Sequence, residues 1–224
     1  MYEKDDFAMN DYFSLDNSLS EEHSLPLLIS QELLRKIFMG ELKLGSRITE
    51  ASIAKQLNVS NIPVREAFSI LQNTGVIEKI PHKGVRIREI TEKEINDYEV
   101  ALILLYKSCI DLADSKWSRE KLDLMKNALV DLKHELDSNN LIEYVNKCDN
   151  ICRYVIVVSE NVAMLRFYNE ITYITNAYCQ SNWDDINHLR QRYNLLVAMV
   201  EALYNGNNEE AKYYFEEMTH DFLK

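Results

Sequence analysis

The sequence predicts a mainly α-helical protein in two parts: three helices closed by a β-hairpin, then an all-helical bundle. Three observations predict it. The 224 residues include only 5 Gly and 3 Pro, too few turn formers for a sandwich or barrel and too little glycine for a phosphate-cradling loop. Apolar residues recur at helical spacing along most of the chain. One stretch, residues 76–90, instead alternates with the period of two that suits strands. A hydrophobic fraction of 46% supplies a real core at this length, which fits one large domain or two modest ones.

Residues 1–23 are polar, acidic and without sustained periodicity, and read as a mobile tail. Ser24 and Pro26 then open a helix, since proline in the first turn gives up a donor that has no partner there anyway. Leu27, Leu28, Ile29, Leu33, Leu34, Ile37 and Phe38 carry that helix to a stop at Gly40. A second helix starts at Thr49 with Ile53, Ala54 and Leu57 on one side. A third runs from about Asn61 to Thr74, with Gly75 in the position that favours left-handed backbone. Val76–Ile80 and Val85–Ile90 form the hairpin around Pro81-His82-Lys83-Gly84. Three helices and a small hairpin are the plan of a winged helix-turn-helix, placed here over residues 24–90.

Thr91 and Glu94 make a capping box that starts the next helix directly after the hairpin. From residue 91 to 224 only helical patterns follow. Breaks are expected near 116–118, 138–140, 160–161, 181–184 and 205–207, giving about six helices.

Charge separates the same parts. The whole chain carries a net charge of -11, the wrong sign for a nucleic-acid binder. Residues 1–24 hold 1 basic and 7 acidic side chains, residues 25–90 hold 10 and 6, and residues 91–224 hold 14 and 23. A basic module therefore lies between an acidic tail and an acidic body, an electrostatic footprint that the overall charge hides. No apolar run is long enough to span a bilayer, and the N-terminus lacks the basic and apolar regions of a signal peptide. A cytoplasmic protein with reduced cysteines (Cys109, Cys148, Cys152, Cys179) is the expectation.

Asn61, Ile62 and Arg65 fall on the first turns of the third helix, where a recognition helix meets base edges in the major groove. Ser60 suits the cap of that helix, whose amides and dipole favour a phosphate. Lys83 and His82 can reach phosphate or minor groove, Gly84 permits close backbone approach, and Arg47 and Lys55 suit phosphates. The plainer alternative is that Arg65 and Glu66 pair on a solvated helix. Ile53, Ala54, Leu57, Val59, Val64, Ala67, Phe68 and Leu71 read as packing.

The run Asn58-Val59-Ser60-Asn61-Ile62-Pro63-Val64-Arg65-Glu66-Ala67-Phe68, preceded by Gly45 and Ile53-Ala54 and followed by Gly75-Val76-Ile77, resembles the winged-helix domain of GntR-family bacterial regulators. The resemblance covers residues 27–90. It implies that Asn61, Arg65 and the wing residues His82-Lys83-Gly84 contact DNA. The family usually has Arg where this chain has Asn61, and Thr where it has Ile62. Arginine suits guanine and asparagine adenine, so the operator need not be the family's common one.

The helical body, residues 91–224, is similar to the FCD domain of the FadR subfamily. That likeness implies a homodimeric, effector-responsive repressor that binds an inverted repeat. Many FCD domains hold a divalent metal with one Asp and three His. Those positions fall here on Cys148, Cys152, Leu196 and Met218, so no metal and no cofactor are expected, and Cys148 and Cys152 read as buried core. A soft-metal or redox sensor using Cys148 and Cys152 is the sharper alternative. A regulator without a small-molecule effector is another. The body's many tyrosines could line a small-molecule pocket with Arg153 or Arg166 as anion partner, but no effector contact is assigned. No hydrolase, metalloprotease or nucleotide-binding motif appears, which argues against an enzyme.

Overall fold

A computed structural model describes residues 24–80, 84–178 and 186–223. The expected acidic tail and the wing turn Pro81-His82-Lys83 lie outside the described residues, as do Cys179 and the expected break at 181–184. Helix α1 spans Leu25–Phe38, with Ser24 at its cap and Pro26 in the first turn. A two-residue strand β1, Arg47–Ile48, precedes α2, Glu50–Leu57, and α3, Asn61–Asn73. Strands β2, Ile77–Ile80, and β3, Gly84–Ile87, complete a small antiparallel sheet in the order β1-β3-β2. The body follows as α4 (Glu92–Ala113), a 3₁₀ turn (Asp114–Lys116), α5 (Arg119–Asp137) and α6 (Leu141–Val158). It ends with α7 (Val162–Tyr178), α8 (Ile186–Tyr204) and α9 (Asn208–Leu223).

The described residues group into two compact units. One comprises residues 24–102 with 166–178 and 222–223, the other residues 103–165 and 186–221.

In the first unit α1 packs against α3, and α2 also packs against α3. Their facing side chains, with those of the sheet, form one apolar cluster that includes Leu33, Ile37, Ile53, Val64, Phe68, Leu71 and Ile87. Ile53, Ala54, Val64, Ala67, Phe68 and Leu71 are buried, while Leu57 and Val59 pack against the cluster partly exposed. The end of α3 is a Schellman stop. Gly75, at φ +76°, donates to the Gln72 carbonyl, and Val76 donates to that of Leu71. Because the chain reverses within two residues, β2 starts immediately under α3. Ile174 of α7 closes a small cavity in this unit with Leu44, Gly75, Val76 and Ile87.

The capping box at the start of α4 forms as the sequence predicts. The Glu94 amide donates to the Thr91 hydroxyl at 3.2 Å, and the Glu94 carboxylate accepts from the Thr91 amide at 3.1 Å. Arg88, the first residue after β3, donates its amide to the Val76 carbonyl at 2.9 Å and its guanidinium to Glu94.

In the second unit α5 packs against α6 and α8. Tyr106, fully buried, stacks on Phe215 with ring centroids 3.4 Å apart and planes 4° from parallel. Its hydroxyl points to the Met199 sulfur at 3.6 Å. Tyr144, also buried, donates to the Leu189 carbonyl at 2.8 Å. The expected breaks near 116–118, 138–140, 160–161 and 205–207 all separate helices. At the last of them the Asn207 side chain caps α9 by accepting from the Glu210 amide at 3.3 Å.

Candidate nucleic-acid interface

The exposed side of α3 follows from its buried side. Pro63, Val64, Ala67, Phe68 and Leu71 face the core, which leaves Asn61, Ile62, Arg65, Glu66 and Ser69 facing outwards. Ile62 is 67% exposed, an unusual place for a large apolar side chain. Ser69 sits one turn beyond Arg65 and donates its hydroxyl to the Arg65 carbonyl at 3.1 Å.

Ser60 occupies the cap of α3 with extended backbone, φ −77° and ψ 165°, yet its hydroxyl accepts no first-turn amide, contrary to the sequence expectation. Part of the reason is chemical. A capping side chain accepts from the second or third helical residue, and here the third is Pro63, which has no N–H. The first-turn amides of Asn61 and Ile62 have no partner within the helix ladder.

The start of α2 is fixed more firmly. Thr49 accepts from the Ser52 amide at 3.2 Å, and the Ser52 hydroxyl accepts from the Thr49 amide at 3.2 Å. Just before it, Arg47 and Ile48 pair with Arg86 and Val85 of β3. Gly84, the first residue of β3 after the wing turn, has φ +88°, and a Cβ there would lie 3.1 Å from the Ile48 carbonyl oxygen. Only glycine satisfies both the backbone angle and this approach.

Glu50, the first residue of α2, then reaches across to α3. Its carboxylate accepts from Arg65 Nε at 3.0 and 3.1 Å and from Nη2 at 2.8 Å. Arg65 therefore pairs with a residue 15 positions earlier and not with its neighbour Glu66. The guanidinium beside it holds the Glu50 carboxyl below its ordinary pKa. The start of β3, the start of α2 and the first turns of α3 are thus linked through Gly84, Thr49, Glu50 and Arg65.

Of the residues singled out from sequence, Ser60, Asn61, Ile62, Arg65 and Gly84 lie in or beside this cluster, and Arg47 lies on the adjoining strand. Lys55 is exposed but turned about 140° around α2 from Glu50, at 3.6 residues per turn. His82 and Lys83 lie outside the described residues. Sequence reasoning missed Glu50 and Arg86. Arg86 is exposed on β3 opposite Arg47 and bonded to Glu78 at 2.8 Å. The local charge pattern carries no signal for either, because both depend on pairings between distant residues.

Residues 27–87 match the family model for bacterial regulatory proteins of the gntR family. Those residues are a GntR-family helix-turn-helix domain. A transcriptional regulator of Bacillus subtilis (strain 168), YdhC, described as an uncharacterized HTH-type protein, is 26% identical over 149 residues, 54% of this chain and 66% of its own length. A probable D-xylose utilization operon transcriptional repressor of Paenarthrobacter nicotinovorans is 27% identical over 139 residues, 62% of this chain and 61% of its length. The chain thus spans a little under two thirds of these relatives' length. Among solved structures, E. coli McbR/YncC superposes with a TM-score of 0.75 at 18% identity, covering 89% of this chain and 95% of that one. That likeness extends the shared fold beyond the GntR domain into the helical body.

In the body, Cys148, Cys152, Leu196 and Met218 are all buried. Burial pushes both thiols up from their usual pKa, against the opposing influence of Arg192. Among the described residues, no group of three or more His, Cys, Asp or Glu side chains is arranged to hold a metal ion. Arg153 is bonded to Asp149 at 2.7 Å and Arg166 to Glu170 at 3.0 Å, so both candidate anion partners already have a carboxylate. None of the described helices is long and apolar enough to cross a membrane.

A thiol kept protonated in the fold contributes stability that is full below the ordinary thiol range, near pH 8.5, and falls as pH rises through it. Cys109, Cys148 and Cys152 are accordingly expected to resist a disulfide reagent at pH 8 until denaturant is added. Prompt reaction of these three in the native protein, read by peptide mapping, would refute their burial.

Proposed function

We propose that the chain is a DNA-binding transcriptional regulator, a repressor that acts as a homodimer on an inverted-repeat operator in the cytoplasm. Residues 24–90 are the DNA-binding domain. Residues 91–224 are an FCD-like domain of the FadR subfamily, responsible for dimerisation and for response to a small-molecule effector. The observation that carries the reading is the outward stripe of Asn61, Ile62 and Arg65 at the start of α3, within a GntR domain. In this reading Asn61 and Arg65 meet base edges, Ile62 packs on a thymine methyl, and Ser60, Arg47, Lys55, His82, Lys83 and Gly84 approach the backbone or minor groove.

One such helix reads only a half-site, so a second copy is required. Leu104 and Leu112 of α4, both exposed, support pairing of two copies. A second reading, a regulator without an effector, draws on the stacked Tyr106 and Phe215 and on buried Leu196, Met199 and Met218, which leave apolar packing where a ligand would sit. Burial of Cys148 and Cys152 disfavours the redox alternative.

Selection from random duplexes tests the proposal. Wild type should enrich an inverted repeat. Arg65→Ala should lose about 1–3 kcal/mol at one symmetric base pair, and Lys83→Ala should weaken all sequences alike. Asn61→Arg should move one symmetric position towards guanine and steepen the salt dependence. Recovery of a single half-site would refute the dimer. Wild-type behaviour of both alanine variants would refute the assignment of α3 and the wing.

A further inference from the structure

We infer that Glu50 is a specificity-determining positioning residue, which holds the Arg65 guanidinium by one edge so that its other edge is presented to a guanine. The inference rests on the reading of α3 as the recognition helix. Arginine has five N–H donors in a rigid plane. The Glu50 carboxylate takes Nε–H and one of the Nη2 hydrogens, at 2.8 to 3.1 Å. What remains is the end of the fork, both Nη1 hydrogens and the second on Nη2. Two parallel donors of that kind match the O6 and N7 acceptors of guanine.

The pair contributes little as a stabiliser. The Arg65 side chain is 67% exposed and that of Glu50 34%, and ion pairs so open to water are weak. Its value lies in geometry. An unrestrained arginine on an exposed helix samples many rotamers, whereas Glu50 is anchored at the first residue of α2 by the Thr49–Ser52 capping box and by the β1–β3 pairing. Gly84, at the start of β3, lies close against Ile48 and Thr49 at the same corner.

A carboxylate on a DNA-facing surface also repels phosphates. Removing it should therefore have effects of opposite sign, lower discrimination at one base pair and higher affinity for DNA of any sequence. Neither a purely structural role nor simple masking of Arg65 produces both together.

The test uses the full-length protein. Random-duplex selection and affinities for single base-pair variants are measured for wild type, Arg65→Ala, Glu50→Ala and Glu50→Gln, with thermal unfolding of each. If wild type enriches no sequence, or Arg65→Ala loses no preference at any base pair, the recognition-helix reading fails. Given that Arg65→Ala identifies a base pair, Glu50→Ala should lose about tenfold discrimination at that pair alone and bind non-specific DNA more tightly. Glu50→Gln, which keeps one acceptor, should fall between. Wild-type discrimination in Glu50→Ala overturns the inference while leaving the recognition helix intact. Loss at every position with a lowered melting temperature overturns it too, because that marks a structural role.

Discussion

Phe68→Ala is expected to destabilise the GntR domain by about 3–5 kcal/mol, the cost of emptying a buried aromatic site. Phe68 is buried on the inner face of α3, in the cluster that also holds Leu33, Ile53 and Ile87. The side chains meant for DNA stand on the opposite face of the same helix. Removing the ring therefore loosens the seat of α3 without touching a candidate contact. Equilibrium denaturation should show the loss, and duplex DNA should restore part of it, since a ligand that binds only the folded state adds stability. Arg65→Ala should behave in the opposite way, with weakened DNA binding and an unchanged unfolding midpoint. A Phe68→Ala midpoint no lower than that of the surface variant Ser69→Ala would contradict the packing described for α3.

A loss of similar size, about 3–5 kcal/mol, is expected for Tyr106→Ala in the helical body, with Tyr106→Phe costing no more than about 1 kcal/mol. The contrast comes from what each part of the side chain touches. The ring is fully buried and lies flat on Phe215, while the hydroxyl meets sulfur groups, the Met199 thioether at 3.6 Å and the Cys152 thiol, both weak hydrogen-bond partners. Burial also pushes the Tyr106 pKa well above the ordinary tyrosine range. The folded chain thus holds this hydroxyl neutral, and its contribution declines as pH rises through the range where an unfolded tyrosine ionises. Near-ultraviolet circular dichroism followed through a denaturant titration measures both variants. Equal losses for Ala and Phe would place the energy in the hydroxyl and overturn the account.

Most of the fold was legible because its signals are local. Thr91 and Glu94 lie three residues apart, Gly75 follows α3 directly, and the alternation of Val85 to Ile87 is visible without knowledge of any partner. The features that sequence reading missed join distant residues. Strand β1 is two residues long and exists only because β3 pairs with it. The partner of Arg65 could not be read from α3, where Glu66 is the obvious carboxylate, since it lies on another helix. Ser60 misled for a different reason. It carries the right hydroxyl at the right position, but Pro63 removes one of the two amides that it could bind. The stripe of Asn61, Ile62 and Arg65 was legible because exposure on a helix follows from the spacing of its core residues.

The junction at Arg88 bears on how the protein meets proteases. Trypsin cleaves after arginine, but only where several residues can leave their partners and extend through its active site. Here the Arg88 amide is bonded to Val76, and the guanidinium is held by Glu94. The amide and hydroxyl three residues on serve the cap of α4. Digestion at this point would require the wing strand and the first turn of α4 to open together. The boundary between hairpin and helix, where a linker would ordinarily be cut first, is a protected site.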